Sequence, residues 1–233
     1  MYPEETRIGS EMPRSKFIIV AVDGGAAAGK SSSARAIAER CNLMHVDSGS
    51  HYRAVTLLFL KSQRQSGTSE SITGYLKRVP IDVELVGRNA CIRLNHTLPT
   101  GPELRAPEVT AMVSHFAAMP KVRDILLLYQ RSHAQTAREN GFAGMIMEGR
   151  DIGTVVFPDA DFKFFLSADS ATREARRARE GVQDSIAKRD KMDAGRKVAP
   201  LACADDAVRI DSSNLSLEEV IDKISAIIEG QSS

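Results

Sequence analysis

The residues Gly24, Gly25, Ala26, Ala27, Ala28, Gly29, Lys30, Ser31 and Ser32 join small side chains, one ammonium and several hydroxyls directly after the apolar segment Phe17–Val22. Within them, Gly24-x-x-x-x-Gly29-Lys30-Ser31 has the spacing of a polyphosphate cradle. Glycine at both ends lets the backbone wrap closely, so that successive N–H groups and the start of a following helix point at phosphate oxygens. Lys30 then reaches the β- and γ-phosphates, and the Ser31 hydroxyl is the candidate ligand for Mg2+. The plainer reading is a Gly/Ala-rich strand-to-helix turn that binds nothing. An apolar strand before the motif and a helix-forming stretch after it favour a nucleoside triphosphate.

A phosphate loop alone does not separate kinases from switches, motors and transport ATPases. No Asn-Lys-x-Asp occurs, so the base-recognition signature of GTP switches is missing. The basic residues are 21 Arg against 10 Lys, and arginine's planar fork suits bidentate phosphate and carboxylate recognition. Codon bias would produce the same ratio, so position decides. Asp47-Ser-Gly-Ser-His-Tyr-Arg53 and Glu148-Gly-Arg-Asp-Ile-Gly-Thr154 each close a strand and open a helix, where a second ligand would lie. From Arg173 to Lys197 there are nine basic and five acidic residues. A solvated helix face would account for that stretch in an ordinary chain; beside a phosphate loop it reads as anion-binding.

The elements that must position these residues alternate between strand and helix. Phe17–Val22, Met44–Val46, Met145–Met147, Phe162–Leu166 and Ala207–Ile210 read as buried strands. Helices are expected after the phosphate loop to about Cys41, from Gly49 to about Lys61, across Pro107–Asn140 with a break at Met119-Pro120, from Ala171 to about Ala187, and from Ser216 to about Glu229. Gln63–Gly74 reads as loop or frayed helix. Ile81–Val86 and Ala90–Leu94 alternate with period two about Gly87-Arg-Asn89, which predicts an antiparallel hairpin. The fold class is therefore α/β, a doubly wound parallel sheet with ligand at the strands' carboxyl ends.

Three separated blocks carry a family resemblance. They are Asp47–Arg53, Glu148-Gly-Arg-Asp-Ile-Gly-Thr-Val-Val-Phe-Pro-Asp-Ala160, and Arg189-Asp…Asp193…Arg196-Lys-Val-Ala-Pro-Leu201. They resemble the signature blocks of the bacterial cytidylate kinases, and with Asp211 and Leu215–Val220 the resemblance runs from about Phe17 to the C-terminal helix. It implies the P-loop nucleoside monophosphate kinase fold, with an inserted antiparallel NMP-binding subdomain and a helical lid. Residues 17–62, 141–170 and 198–233 would form the core, 63–140 the insertion, 171–197 the lid and 1–16 a flexible lead-in. It also implies transfer of the γ-phosphoryl of ATP to CMP or dCMP. By position, Arg53 and Arg150 would hold the acceptor's phosphate, and Ser114, Arg123 and Asp151 would recognise cytosine. Arg189, Asp193 and Arg196 would come from the lid, and Ser48 and Tyr52 would line the acceptor site. Lys30, Arg150, Arg189 and Arg196 are the expected catalytic set.

The chain departs from that pattern at four places. Gly25 and Ala27 stand where proline and glycine are common, Met192 where an arginine is common, and His51 where an apolar residue is usual, with solvent its expected surroundings. The lack of an obvious general base agrees with a phosphate acceptor, whose oxygen is already ionised at neutral pH given a second pKa near ~6; a hydroxyl acceptor would need a carboxylate base. Asp47 and Glu148 are expected either to hold Mg2+ through water or to cap and pair with arginines.

A net charge of +1 argues against nucleic acid or an anionic membrane as partner. Cys41, Cys91 and Cys203 have no metal-ligand spacing and read as reduced thiols. No segment reads as a signal or a membrane span, so the expectation is a cytoplasmic monomer acting on small nucleotides. Two alternatives stay open: a related kinase for UMP or a metabolite hydroxyl, and an RNA- or protein-binding module regulated by ATP.

Overall fold

The computed structural model describes residues 16–66, 72–179 and 186–230. Strands β1 (Ile18–Gly24), β2 (Leu43–Asp47), β5 (Gly144–Gly149), β6 (Phe162–Ser167) and β7 (Val208–Asp211) are all parallel, and β3 (Ile81–Val86) and β4 (Asn89–Leu94) form an antiparallel pair. Together they make one seven-stranded sheet in the order β3-β4-β2-β5-β1-β6-β7. The expected hairpin is therefore not detached: it extends the sheet edge, joined to β2 at the single register pair His45↔Asn89.

Successive residues of β1 point to opposite faces, as the strand period requires. Val20 and Val22 enter a core with Ile37 of α1 (Lys30–Arg40), Phe164, Leu166 and Ile224 of α9 (Leu217–Gly230). Ala21 faces a second core with Met44, Met145, Met147 and Ala137 of α6 (Pro120–Glu139). A third cluster joins α2 (Ser48–Ser66), α3 (Ile72–Leu76), β4, α5 (Pro107–Ala117) and α6 around Val55, Leu76, Ile92, Phe116 and Leu126. Helices thus cover both faces, as parallel strands demand.

Local signals act where expected. Pro120 opens α6 at a position where no N–H is needed, with Met119 extended before it. At the start of α9, the Ser216 hydroxyl accepts from Glu219 N at 3.2 Å while Glu219 Oε2 accepts from Ser216 N at 2.8 Å, a reciprocal cap. A similar box between Thr100 and Glu103 starts the short α4 (Gly101–Leu104), which periodicity is too short to reveal.

Several expectations need correction. Helix α2 runs on to Ser66 rather than ending near Lys61; residues 67–71 of the expected loop lie outside the described residues, as do 1–15 of the expected lead-in. The single helix expected over Ala171–Ala187 is instead α7 (Ser170–Arg179) and α8 (Ile186–Ala194), with 180–185 outside the described residues. His51 does not face solvent. It is fully buried between α2 and α6, its ring 5.0 Å from Tyr129 and 5.3 Å from His133, and neither ring nitrogen has a hydrogen-bond partner among the described residues. Burial and the neighbouring His133 hold it well below the ordinary histidine range, so it packs as a neutral ring.

The run Ile125-Leu-Leu-Leu128 shows why burial cannot be read from composition: Leu126 is 0% exposed and Leu128 is 74% exposed. Leu126→Ala should cost about 2–5 kcal/mol and Leu128→Ala within about 0.5 kcal/mol, measured by urea unfolding at unchanged slope.

Candidate active site

The parallel register aligns three carboxylates at the sheet's carboxyl end. Asp47 of β2 pairs with Glu148 of β5, and Asp23 of β1 pairs with Gly149. Beyond them lies a cleft of about 560 Å³ lined by Ala26–Ser32 on one side and by Ser48, Tyr52, Arg53, Ser114, Arg150, Asp151, Asp193 and Arg196 on the other.

The phosphate loop is shaped by two glycines. Gly24 ends β1 at φ 150, and a Cβ there would lie 2.1 Å from the Leu166 carbonyl oxygen, so no larger residue fits. Gly29 takes φ 93 and caps α1 with no side-chain hydrogen bond, which leaves the helix's first amides for an anion. Between them Ala27 adopts φ 58. An L-residue in that region costs about 1–2 kcal/mol, so the departure from glycine there strains the loop itself. Gly25 lies against the carboxylate of Asp190 and the guanidinium of Arg173.

Lys30 is 6% exposed and donates to the Gly25 carbonyl at 2.7 Å. Burial, then the charge of Arg150, pushes its ammonium down to about 7. The Ser31 hydroxyl donates to Glu148 Oε2 at 2.6 Å, and His45 approaches Glu148 Oε1 at 3.1 Å. Burial opposes the charged form of Glu148, but His45, Lys30 and Ser31 outweigh it and hold the carboxyl below its ordinary range. Asp47 moves the other way, raised by burial and by the charge of Glu148. It accepts from Ser50 N at 3.1 Å, the capping role expected as one of its alternatives; Glu148 pairs with a histidine rather than an arginine.

After β5 the chain makes a π-helical turn, Ile152–Val156, in which Val156 N and Phe157 N donate five residues back. Such turns are uncommon and cluster at functional sites. Asp23, 4% exposed, holds this one: its two oxygens accept from Ile152 N and Gly153 N, each at 2.8 Å. Burial pushes its carboxyl up to about 6 despite those bonds. Arg131 of α6 closes the other end through the carbonyls of Val155 and Val156. Arg150 and Asp151, immediately before the turn, are thereby aimed into the cleft.

On the far side, Arg123 pairs with Asp151 and donates to the Ala117 carbonyl at 3.2 Å, with the Tyr52 ring 5.5 Å away. Burial raises the Asp151 carboxyl, with Arg123 and Arg196 opposing. Asp193 of α8, 3% exposed, accepts from Arg150 Nε at 3.0 Å and from Ser114 Oγ at 3.2 Å, and pairs with Arg196. Arg53 donates to the Leu104 carbonyl and Thr110 Oγ1, each at 3.0 Å, and Ser48 to the Glu148 carbonyl at 2.7 Å. Arg189 lies in α8, but its side chain is outside the described residues.

In the sequence, Arg173, Arg176, Arg177 and Asp190 read only as members of a basic stretch, with no role of their own, and Arg35 and Arg105 are passed over. Arg35, Arg105 and Arg177 also line the cleft, and Arg176 lines an adjoining hollow with Ser212 and Leu215, donating to the Ser212 carbonyl at 2.8 Å. Asp190 accepts from Ala26 N at 2.9 Å and pairs with Arg173, fastening α8 and α7 to the loop. A lone aspartate after an apolar run was the visible signal for Asp23. His45 and Asp190 had none, because their partners are remote in sequence.

A cleft that offers a phosphate loop to one anion and an arginine cluster to another is the site of a phosphate-loop kinase, and the parallel sheet behind it is that class's fold. The sequence profile of cytidylate kinase matches residues 20–230. Relatives named cytidylate kinase include one from Streptomyces griseus, 38% identical over 92% of this chain and 94% of its own, and one from Geobacter sulfurreducens, 40% identical over 91% and 92%. A third, from Desulforamulus reducens, is 39% identical over 90% and 96%. The chain belongs to the cytidylate kinase family. Among the described residues, no helix is long and apolar enough to cross a membrane.

A polyphosphate that draws the Lys30 proton affinity back up must take up a proton as it binds. At about pH 8, above the free-site value of about 7, Lys30 should take up about one proton on tripolyphosphate binding, and at about pH 6 almost none, apart from the protons that the ligand's own phosphates exchange. The dependence of calorimetric enthalpy on buffer ionisation heat measures this, and Lys30→Met should abolish it.

Proposed function

We propose that the protein transfers the γ-phosphoryl group of ATP to CMP or dCMP, forming ADP and CDP or dCDP. The observation that carries this reading is one cleft lined by the phosphate loop and, behind the arginines, by Ser114 and Asp151, with Arg123 paired to Asp151 beneath the lining. Cytosine presents an amino donor beside two acceptors, which a carboxylate and a guanidinium complement. Arg53, Arg150 and Arg196 face the space for the acceptor's phosphate. Lys30 and the amides of the loop hold the donor's phosphates, and Arg150 and Arg196, with Arg189, offset charge on the transferring group. An ionised phosphate oxygen attacks without a base, so the residues contribute alignment and charge compensation.

Mg2+ suits the loop. Ser31 donates its hydroxyl hydrogen bond to Glu148, which leaves its oxygen lone pairs for a cation, and Glu148 and Asp47 would hold that cation through water. When bound, it would neutralise phosphate charge. Helices α7 and α8, pinned to the loop by Asp190 and to Arg150 by Asp193, act as the lid that excludes water, and the segment from β3 through α6 acts as the acceptor-binding part.

The test is ADP release from Mg·ATP with CMP, dCMP, UMP, AMP, GMP or no acceptor. CMP and dCMP should stimulate well above the rest; stimulation by another acceptor alone overturns the cytosine assignment. Lys30→Ala and Arg150→Ala should each lower kcat by about 100-fold or more. Ser114→Ala should raise KM for CMP with little change in stability. Arg123→Ala should do the same but also leave Asp151 buried and unpaired, with a stability loss of about 3 kcal/mol on thermal or urea unfolding.

A further inference from the structure

Beneath the phosphate loop runs a chain of side chains from Ser31 and Glu148 to His45 and Asn89, the last two of which phosphoryl transfer leaves without a task. His45, in the middle of β2, is 3% exposed. Its Nε2 lies 3.1 Å from Glu148 Oε1, and its Nδ1 lies 2.9 Å from the side-chain oxygen of Asn89. Glu148, also 3% exposed, accepts the Ser31 hydroxyl on its other oxygen at 2.6 Å. Asn89 is the first residue of β4, and its amide nitrogen donates to the Val86 carbonyl at 3.3 Å. His45 and Asn89 are also the register pair that joins the β3–β4 hairpin to the sheet, and His45 N donates to the Arg88 carbonyl at 2.8 Å.

The direction of each bond constrains the next. A carboxylate oxygen only accepts, so Nε2 carries the hydrogen facing Glu148. With Oε1 engaged by His45, Oε2 is turned toward Ser31 and accepts the hydrogen bond from its hydroxyl. The oxygen of Ser31 is then left with its lone pairs free of that bond. An apolar residue in place of His45 would leave Glu148 Oε1 buried without this partner, and the carboxylate would be free to turn. A side chain that fixes the group contacting a metal ligand commonly matters roughly 10- to 100-fold in metal affinity or activity.

We propose that His45 is a positioning residue for phosphoryl transfer. It fixes the orientation of Glu148, and through Glu148 that of the Ser31 hydroxyl, so that the hairpin anchored at Asn89 and the Mg2+ side of the phosphate loop form one rigid unit. This rests on the proposed reading in taking Mg·ATP as the donor.

Two amide substitutions separate the ring nitrogens. His45→Gln puts an N–H near the place of Nε2, toward Glu148; His45→Asn reaches only the place of Nδ1, toward Asn89; His45→Leu reaches neither. The dissociation constant for ATP is measured by calorimetry in EDTA and in excess Mg2+, alongside kcat and KM, with thermal unfolding as the control for folding. H45Q should keep the Mg2+-dependent gain in affinity of the unaltered protein. H45N and H45L should lose about 10-fold of that gain and about 10-fold in kcat, with the EDTA constant and the acceptor's KM unchanged. If one of the two fails to fold, the other is compared with H45Q. Equal behaviour of H45Q and the folded comparison variants overturns the proposal, as does an equal loss in EDTA and Mg2+, or an unaltered protein with no Mg2+-dependent gain. A protein that binds Mg·ATP with the gain but phosphorylates neither CMP nor dCMP fails the proposed reaction alone, because the His45 comparison is still read from the dissociation constants.

Discussion

Lysine and arginine side chains crowd one cleft at the end of the sheet, and repulsion among them sets the conditions that the surrounding structure has to meet. Two like charges ~5 Å apart repel by about 3 kcal/mol at an effective dielectric of ~20. The protein answers with buried carboxylates. Asp193 lies between Arg150 and Arg196, Asp151 pairs with Arg123, and Asp190 pairs with Arg173. Among the described residues Lys30 has no such partner at contact distance, and its ammonium loses proton affinity to burial and to Arg150. A phosphate entering the cleft meets arginines already turned inward, and it competes with carboxylates for them rather than ordering free side chains.

The same carboxylates hold the moving parts of the chain against the sheet. Asp193 takes a serine from α5 and an arginine from beyond β5, while belonging itself to α8. Asp190 of that helix accepts from the loop amide of Ala26. The phosphate loop, α5 and the segment after β5 are thus each joined to α8 through charged hydrogen bonds. Contacts of that kind are strong when water is excluded and exchangeable when a better anion arrives.

Rigidity comes from below the cleft. The register of β2, β5 and β1 sets Asp47 level with Glu148 and Asp23 one position further along, at Gly149. Each has a different duty because each has different neighbours: Asp47 caps a helix, Glu148 receives Ser31 and His45, and Asp23 takes two backbone N–H groups of the π-helical turn. Arg150 and Asp151 immediately precede a turn held at both ends, by Asp23 and by Arg131, which leaves them little freedom at the wall of the cleft.

The residues alone determined the phosphate loop, the order of the strands, the hairpin, the break at Pro120 and the cap at Ser216, because each depends on backbone geometry and hydrogen bonds between near neighbours. The family resemblance extended this to Ser114, Arg123, Asp151 and Asp193. Only the tertiary structure decided that Asp193 bridges Arg150, Arg196 and Ser114, that Asp190 meets Ala26, and that His45 stands behind Glu148. It also turned His51 from the solvent into the α2–α6 interface and separated Leu126 from Leu128. Those outcomes depend on which strand lies beside which and on which helix crosses above. Such pairings bring together residues some 100 positions apart, as for His45 and Glu148, and a pattern read along the chain contains no term for them.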